Sequence, residues 1–226
     1  MNSKIEIEIK IIKILDELEK IYNNETHPPI LKHDEPLDGL ILIILSQNTN
    51  DKNRDVAFKN LKSEFKNYDE IIAAGACELE RVIKYAGLAR TKSIRIINIL
   101  EIIKKDFGEY SLKKLKFRDK NYIWNYLINL KGVGAKTANC VLLFDFGLAA
   151  FPVDTHITRI TKRTGISEKN LTPDEISVML EKIIPKKRFL GGHINLIEHG
   201  RRICKAKKPL CEECKINWCC DYFNLL

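Results

Sequence analysis

The 226-residue sequence contains no apolar run long enough to cross a membrane, and its longest, residues 40–45, has six residues. A spanning helix needs about 20 apolar residues. The first residues also lack the continuous apolar stretch of a signal peptide, because Glu6 and Glu8 interrupt it. These two absences predict an intracellular, cytoplasmic protein without a membrane partner.

Three further patterns are absent: a series of alternating strands, a low-complexity tract, and a repeat with a period of about 20 to 50 residues. Residues 5–11 do alternate isoleucine with polar residues, but helical spacing follows at once, so this segment is assigned to a helix. The sequence therefore predicts an all-α protein and excludes a solenoid.

Apolar residues recur at helical spacing through most of the chain. The segment 38–46 is apolar on all sides, which predicts a central helix. Residues 111–120 are predicted to form a charged connection. The other predicted helices are 11–21, 51–65, 68–74, 77–85, 91–107, 122–130, 136–146, 155–164, 173–184 and 192–203.

Positive charge is in excess, with 38 Lys and Arg against 30 Asp and Glu, a formal net charge of +8 and a pI near 9.0. This balance suits a polyanionic partner, either nucleic acid or an acidic membrane surface. Charge alone does not choose between them.

The segment 130–138 joins two apolar helices through Gly132 and Gly134. Two glycines permit a tight turn and expose backbone N–H groups at the start of the second helix, which forms a nest for one phosphate. Val133 is predicted to point inward. An ordinary helix–turn–helix loop with a glycine cap explains the same residues equally well.

Lys136 and Asp154 lie on either side of the second apolar helix. Taken singly, Lys136 reads as a solvated surface lysine and Asp154 as a helix N-cap, the commonest roles of these residue types in such positions.

Seven cysteines are present, and five lie between residues 204 and 220, which in a reducing compartment indicates a metal site rather than disulfides. Both zinc and an iron–sulfur cluster use four thiolates, and the residue chemistry alone slightly favours zinc, because four-cysteine zinc sites are common. Zinc sites commonly pair two C-x2-C knuckles, and this chain has only one. The spacing C-x6-C-x2-C-x5-C is formed by Cys204, Cys211, Cys214 and Cys220.

The remaining cysteines are assigned other roles. Cys219 would shorten the last interval to x4 and is interpreted as a neighbour of the ligand set. Cys77 and Cys140 lie in apolar helical segments and are predicted to be packing residues.

The glycine hairpin with Lys136, the segment Val153-Asp154-Thr155-His156 and the cysteine spacing together resemble the helix-hairpin-helix/Gly-Pro-Asp DNA glycosylase superfamily, in its endonuclease III branch. The resemblance extends from about residue 30 to Cys220. It implies a two-lobed all-α fold: a barrel of residues 38–148 with the helix-hairpin-helix at 122–146, and a second lobe. That second lobe combines residues 1–37 and 149–226 and carries a [4Fe–4S] cluster, held at 204–220 by the four cysteines named above.

The resemblance also implies an activity: a bifunctional DNA glycosylase/AP lyase that removes damaged, oxidised pyrimidines and cuts 3′ to the abasic site by β-elimination. Lys136 would be the nucleophile that forms the Schiff base, and Asp154 the carboxylate that stabilises an oxocarbenium-like state, with the two facing each other across a cleft. The expected partner is double-stranded DNA containing damaged bases or abasic sites, bound by a monomer at the nucleoid.

Several DNA contacts are implied in the same way. The backbone of Gly132, Val133 and Gly134 would grip a phosphate, and Leu88 matches the family's apolar wedge. Endonuclease III usually has glutamine at the position of Asn48, whereas this chain has glutamine at Gln47, so either could fill the duplex gap. The cluster loop would present Lys205, Lys207 and Lys208 to phosphates.

Two other functions remain open. A monofunctional glycosylase for thymine or uracil opposite guanine shares the fold, but relatives of that type usually lack the hairpin lysine. A non-catalytic helix-hairpin-helix protein with a metal-stapled tail would bind DNA without releasing bases. One departure from the family pattern is Lys131, where proline is usual.

Overall fold

The computed structural model describes residues 4–29 and 32–225. Regular structure in these ranges is helical, without a strand, which confirms the all-α prediction. None of the helices within them is both long and apolar enough to span a membrane. The α-helices are α1 Lys4–Tyr22, α2 Pro36–Ser46, α3 Asp51–Glu64, α4 Tyr68–Val82, α5 Ala89–Phe107, α6 Lys120–Ile128, α7 Ala135–Phe144, α8 Thr155–Arg163, α9 Pro173–Ile183 and α10 Phe189–Arg202.

The chain divides into two compact units, one of Leu31–Leu148 and one of Met1–Ile30 with Ala149–Leu226. The sequence predicted a helical barrel and a second lobe that carries the cluster. These assignments to the two parts of the chain stay predictions. Residues 1–3, 30–31 and 226 of that prediction lie outside the described residues.

Helix α2 lies at the centre of the Leu31–Leu148 unit, where it contacts α3, α5 and α7. Leu40, Ile41 and Ile44 on this helix are fully buried, as the apolar pattern predicts. Burial of each such side chain contributes about 1.5–3 kcal/mol to folding. Glu35 caps the helix by accepting a hydrogen bond from the Leu37 backbone N–H, so the helix starts at a defined point.

The predicted break between helices 68–74 and 77–85 is present in the structure. Helix α4 is kinked at Gly75, whose φ of 74° is not helical. A short 3-10 helix, Lys84–Ala86, follows. Cys77 is exposed rather than packed, because Leu79 and Val82 form the buried face of this segment and a residue two positions before Leu79 lies on the other side of the helix. Cys140 is buried, as predicted.

A buried carboxylate joins the beginning of the Leu31–Leu148 unit to its end. Asp145, just after α7, is fully buried, and its Oδ1 lies 2.7 Å from His33 Nδ1. Burial raises the pKa of Asp145, with the His33 imidazole opposing the shift, while the hydrogen bond to Asp145 raises the pKa of His33. Gly39 makes room for this carboxylate, since a Cβ there would lie 2.0 Å from Asp145 Oδ2.

In the other unit α10 packs against α1 and α8, and α8 contacts α9. Ile14, Leu15 and Leu18 on α1 are fully buried, whereas Ile21 is 46% exposed at its end. Helix α10 ends at Arg202, two residues before the first cysteine of the predicted cluster loop. The packing of α8 against α10 therefore places the start of that loop beside α8.

Candidate active site and cysteine cavity

The predicted hairpin is present as α6, a tight turn and α7. Gly132 has a φ of 89°, a conformation that favours glycine, and a Cβ there would also collide with the Arg95 side chain. Val133 is 5% exposed, as expected for a residue that pins the two helices together. Gly134 is the N-cap of α7, and no side chain caps that helix. The start of α7 therefore presents backbone N–H groups and the positive end of the helix dipole, which suits an anion.

Lys136 lies in the first turn of α7 and is partly buried. This position is neither the fully solvated surface typical of lysine nor the core. The side chain emerges next to the glycine turn, within the Leu31–Leu148 unit.

Asp154 caps α8 in the other unit. Its Oδ1 accepts hydrogen bonds from the backbone N–H groups of His156, at 2.8 Å, and Ile157, at 2.9 Å. The structural expectation that it forms an N-cap is thus met, and the same two bonds fix the orientation of a partly buried carboxylate.

A loop of residues 46–49, here called the filling loop, follows α2. The Gln47 amide Nε2 donates to Thr137 Oγ1 at 3.2 Å and to the Gly132 carbonyl at 3.4 Å, and its Oε1 accepts from Arg95 Nη1. Asn48 is exposed and has a φ of 54°. Gln47 therefore ties the filling loop to the hairpin turn, and Asn48 forms its exposed tip.

Residues 86–88, here called the wedge loop, precede α5. Leu88 is 61% exposed and has a left-handed φ of 48°, directly after Gly87 with a φ of 64°. Its side chain is thus not part of the core. An exposed leucine held in this strained conformation is typical of a functional position.

The four predicted cysteine ligands line one cavity. Cys219 does not line it: it is 8% exposed, and its Sγ donates to the Ile216 carbonyl at 3.2 Å. Cys204 accepts a hydrogen bond from Arg163 Nη1 at 3.3 Å, and Cys214 Sγ lies 3.4 Å from His199 Nε2. The chain thus brings together the four cysteines selected from their spacing.

Comparisons with known proteins decide the family. Residues 41–186 match the HhH-GPD superfamily of base excision DNA repair proteins. Endonuclease III of Thermotoga maritima is 38% identical over 195 residues, covering 85% of this chain and 86% of its own length. Endonuclease III of Rickettsia felis is 34% identical over 216 residues, with coverages of 94% and 96%. A trapped endonuclease III–DNA covalent intermediate superposes with a TM-score of 0.83 at 31% identity, over 100% of this chain and 99% of that one.

The chain belongs to the endonuclease III family. It is therefore a base excision repair DNA glycosylase with AP lyase activity. Its two-unit helical fold and the hairpin at 120–144 are those of this family.

The arrangement of the cysteines in this endonuclease III can be compared with what an iron–sulfur cluster requires. Within residues 4–29 and 32–225, no three His, Cys, Asp or Glu side chains are arranged to hold a single metal ion. A [4Fe–4S] cluster takes four separate cysteine thiolates, spread around a cubane rather than gathered on one ion. Four cysteines around one cavity suit that requirement.

Burial also affects the protonation of these cysteine thiols. Burial raises the pKa of the Cys214 thiol to about 11, and burial together with the Cys220 and Cys204 thiolates raises that of Cys211. Thiols of this kind are deprotonated when they bind a metal. The Arg163 guanidinium lies beside Cys204, with Nη1 at 3.3 Å from its Sγ.

Two arginines of α8 organise the cysteine loop of this endonuclease III, and the sequence pattern did not reveal them. Arg159 donates to the carbonyls of Cys204 and Gly200, each at 2.8 Å. Arg163 donates to the Lys205 carbonyl at 2.8 Å, and its guanidinium lies 4.6 Å from the centroid of the Tyr222 ring. Helix α8 thus begins at the Asp154 carboxylate and ends at the cysteine cavity.

The three lysines predicted to contact DNA from the cluster loop, Lys205, Lys207 and Lys208, are all exposed. Lys208 has a left-handed φ of 50°, so the loop turns sharply before Pro209. Their exposure leaves them accessible to a polyanion.

Proposed function

We propose that this glycosylase/AP lyase removes oxidised pyrimidines from double-stranded DNA and cuts the strand 3′ to the resulting abasic site by β-elimination. The observation that carries the proposal is the place of Lys136. It lies in the first turn after a glycine hairpin whose open N–H groups suit a backbone phosphate. An amine beside a bound phosphate is within reach of the adjoining sugar.

Lys136 is proposed as the nucleophile. Its neutral amine attacks C1′ of the damaged nucleotide, and the C1′–N bond to the base breaks, with the base leaving after it gains a proton. The C1′–O4′ bond then breaks, O4′ gains a proton to become a hydroxyl, and C1′ forms an imine with the lysine nitrogen. The imine acidifies the C2′ hydrogen, and loss of this proton expels the 3′ phosphate. The attack requires the amine form of Lys136, because an ammonium has no lone pair to donate.

Asp154 is proposed as the carboxylate that stabilises positive charge on the sugar as the base departs. Two backbone N–H groups hold it in one orientation, so the carboxylate needs little reorganisation during the reaction.

The DNA contacts follow the exposed loops. The N–H groups of Gly132 and Gly134 bind one phosphate, whereas the Val133 N–H already donates to the Leu130 carbonyl at 3.0 Å. Lys205, Lys207 and Lys208 bind other phosphates; such contacts position the protein without reading sequence. The enzyme acts as a monomer at the nucleoid.

For the duplex gap we assign Asn48 rather than Gln47. An enzyme that extrudes a nucleotide has to fill the space that it leaves. The Gln47 amide is held by Arg95 and Thr137, whereas Asn48 is the exposed tip of the filling loop. Leu88, which is exposed on the wedge loop, enters the base stack of the duplex from a different loop than Asn48.

A [4Fe–4S] cluster is proposed on Cys204, Cys211, Cys214 and Cys220. With one thiolate per iron it has no open position for base chemistry. It would fix the 204–220 loop, and through Arg163 the end of the helix that begins at Asp154. When bound, it supplies structural rigidity and an electron-transfer capacity.

Replacing Cys220 by serine is expected to reduce the iron content and the absorbance near 400 nm strongly, because one iron loses its thiolate. The adjacent Cys219→Ser variant is the matched control and should keep both, since Cys219 does not line the cavity. Iron per protein and the visible spectrum of the purified proteins measure the difference. The reverse pattern would assign Cys219 as the ligand.

A panel of duplexes tests the substrate class: thymine glycol, dihydrouracil, thymine or uracil opposite guanine, and 8-oxoguanine, with base release and strand cleavage scored separately. We expect release of thymine glycol and dihydrouracil, with strand cleavage accompanying it. Release of mismatched thymine or uracil without cleavage would show instead a monofunctional mismatch enzyme. DNA binding without any release would show a non-catalytic binding protein.

A further inference from the structure

Lys92, on α5, is a buried charge that none of the steps above uses. It is 2% exposed, although lysine is rarely buried unless it is partnered. Its Nζ donates to the carbonyls of Leu45 and Ala86, each at 2.7 Å, and to Thr49 Oγ1 at 2.8 Å. An ammonium has three donors, so each of them has one acceptor.

These acceptors lie in or directly beside the filling loop and the wedge loop. Leu45 directly precedes the filling loop, Thr49 is its last residue, and Ala86 opens the wedge loop. Thr49 Oγ1 also donates to the Ala86 carbonyl. One ammonium therefore joins two loops that lie about 40 residues apart in the sequence.

Both loops contain backbone conformations that need outside support. Asn48 and Leu88 have φ values of 54° and 48°, a region that side-chain-bearing residues rarely adopt and that persists only where the surroundings hold it. Neither side chain can provide that support, because both are exposed. The hydrogen bonds from Lys92 to the flanking backbone are contacts that can provide it.

We propose that Lys92 is a positioning residue that fixes the filling loop and the wedge loop relative to each other for opening the duplex. The proposal rests on the proposed roles of Asn48 and Leu88. Two side chains that enter one stack from different loops must be spaced to match the gap, and a single ammonium on a rigid helix sets that spacing. Its burial and its three acceptors also exclude Lys92 from contact with the sugar.

Protonation supports this role. Burial, with a further contribution from Arg95, lowers the pKa of Lys92 to about 8. The residue therefore still carries its third proton at neutral pH, and all three hydrogen bonds form.

The Lys92→Met variant keeps the length and the apolar stem of the side chain but removes every donor. We expect its single-turnover rate of thymine glycol release from duplex DNA to fall by about 10- to 100-fold, since small misplacements of positioning groups cost rates of this order. Cleavage of an abasic site in single-stranded DNA, which requires no gap to be filled, should continue at the rate of the unmodified protein.

A fluorescent reporter follows the opening step itself. 2-Aminopurine placed opposite a stable tetrahydrofuran abasic analogue brightens when it is unstacked. The unmodified protein should raise its fluorescence on binding, whereas Lys92→Met should bind the same duplex without this rise.

Ile99→Ala is the matched control, because Ile99 is a fully buried residue of the same helix without a place in either loop. It should lower stability but keep both the fluorescence rise and the ratio of duplex to single-strand rates. Thr49→Val provides a second route if Lys92→Met fails to fold: it removes only the bridging hydroxyl, and it should lower duplex activity selectively.

The outcomes are distinguishable. If the folded lysine variant, or Thr49→Val in its place, loses activity on duplex and single-stranded substrates in equal proportion and retains the fluorescence rise, the positioning role is overturned. If the unmodified protein neither releases thymine glycol nor cuts abasic DNA, the proposed function itself has failed.

Discussion

Replacing Lys136 by alanine is expected to abolish the covalent adduct that borohydride traps between the protein and abasic DNA. The same change should lower strand cleavage by about 1000-fold or more, because the residue that forms the covalent intermediate is removed. Alanine is the best helix former, so α7 and the hairpin should remain intact. Trapping on a denaturing gel and single-turnover cleavage measure the two effects.

Lys131→Ala is the matched control for this experiment. Lys131 is an exposed lysine of the same turn, and its removal takes away the same charge without removing the proposed nucleophile. It should retain trapping at saturating protein. Equal trapping by the Lys136→Ala variant and the unmodified protein would show that another amine carries the reaction.

The second large effect is expected at Asp154. Asparagine can accept the same two hydrogen bonds from the His156 and Ile157 backbone, so Asp154→Asn should keep the cap of α8 while removing the charge. Release of thymine glycol should then fall by about 100- to 1000-fold, the usual cost of losing one electrostatic stabiliser of a transition state. Single-turnover base release measures it.

Asp154→Ala separates the two roles of this carboxylate. It should lose the same activity and, in addition, destabilise the protein by about 1 kcal/mol, the typical value of an N-cap. Urea denaturation compares the two variants. If Asp154→Asn released the base as fast as the unmodified protein, Asp154 would have only the structural role of a helix cap.

Much of this fold can be predicted from the spacing of apolar residues and glycines along the sequence. The continuous apolar character of α2 predicted its central position, and Gly132 and Gly134 predicted the hairpin between α6 and α7. Both features depend on residues that are close in sequence. The same applies to Asp154, whose capping role follows from its two neighbours.

The supporting contacts could not be predicted in this way. Lys92 would be taken for a solvated lysine by its residue type, and its acceptor Leu45 lies 47 residues away. Arg163 likewise reaches Cys204 across 41 residues. Such bonds depend on how helices pack, which no local pattern specifies.

The choice between Cys219 and Cys220 shows where sequence pattern stops being sufficient and the packed structure is needed. Spacing selected Cys220 over Cys219 only through resemblance to a family, because an interval of x4 is chemically as feasible as x5. The cavity separates them, since Cys220 lines it and Cys219 hydrogen-bonds to Ile216 instead.

Peptide mapping of the borohydride-reduced adduct by mass spectrometry tests the central chemical claim most directly. The account predicts a single modified peptide, with the sugar remnant on the Nζ of Lys136. A remnant on Lys92, on Lys131 or on the N-terminal amine would contradict it, and would move the reaction away from the first turn of α7.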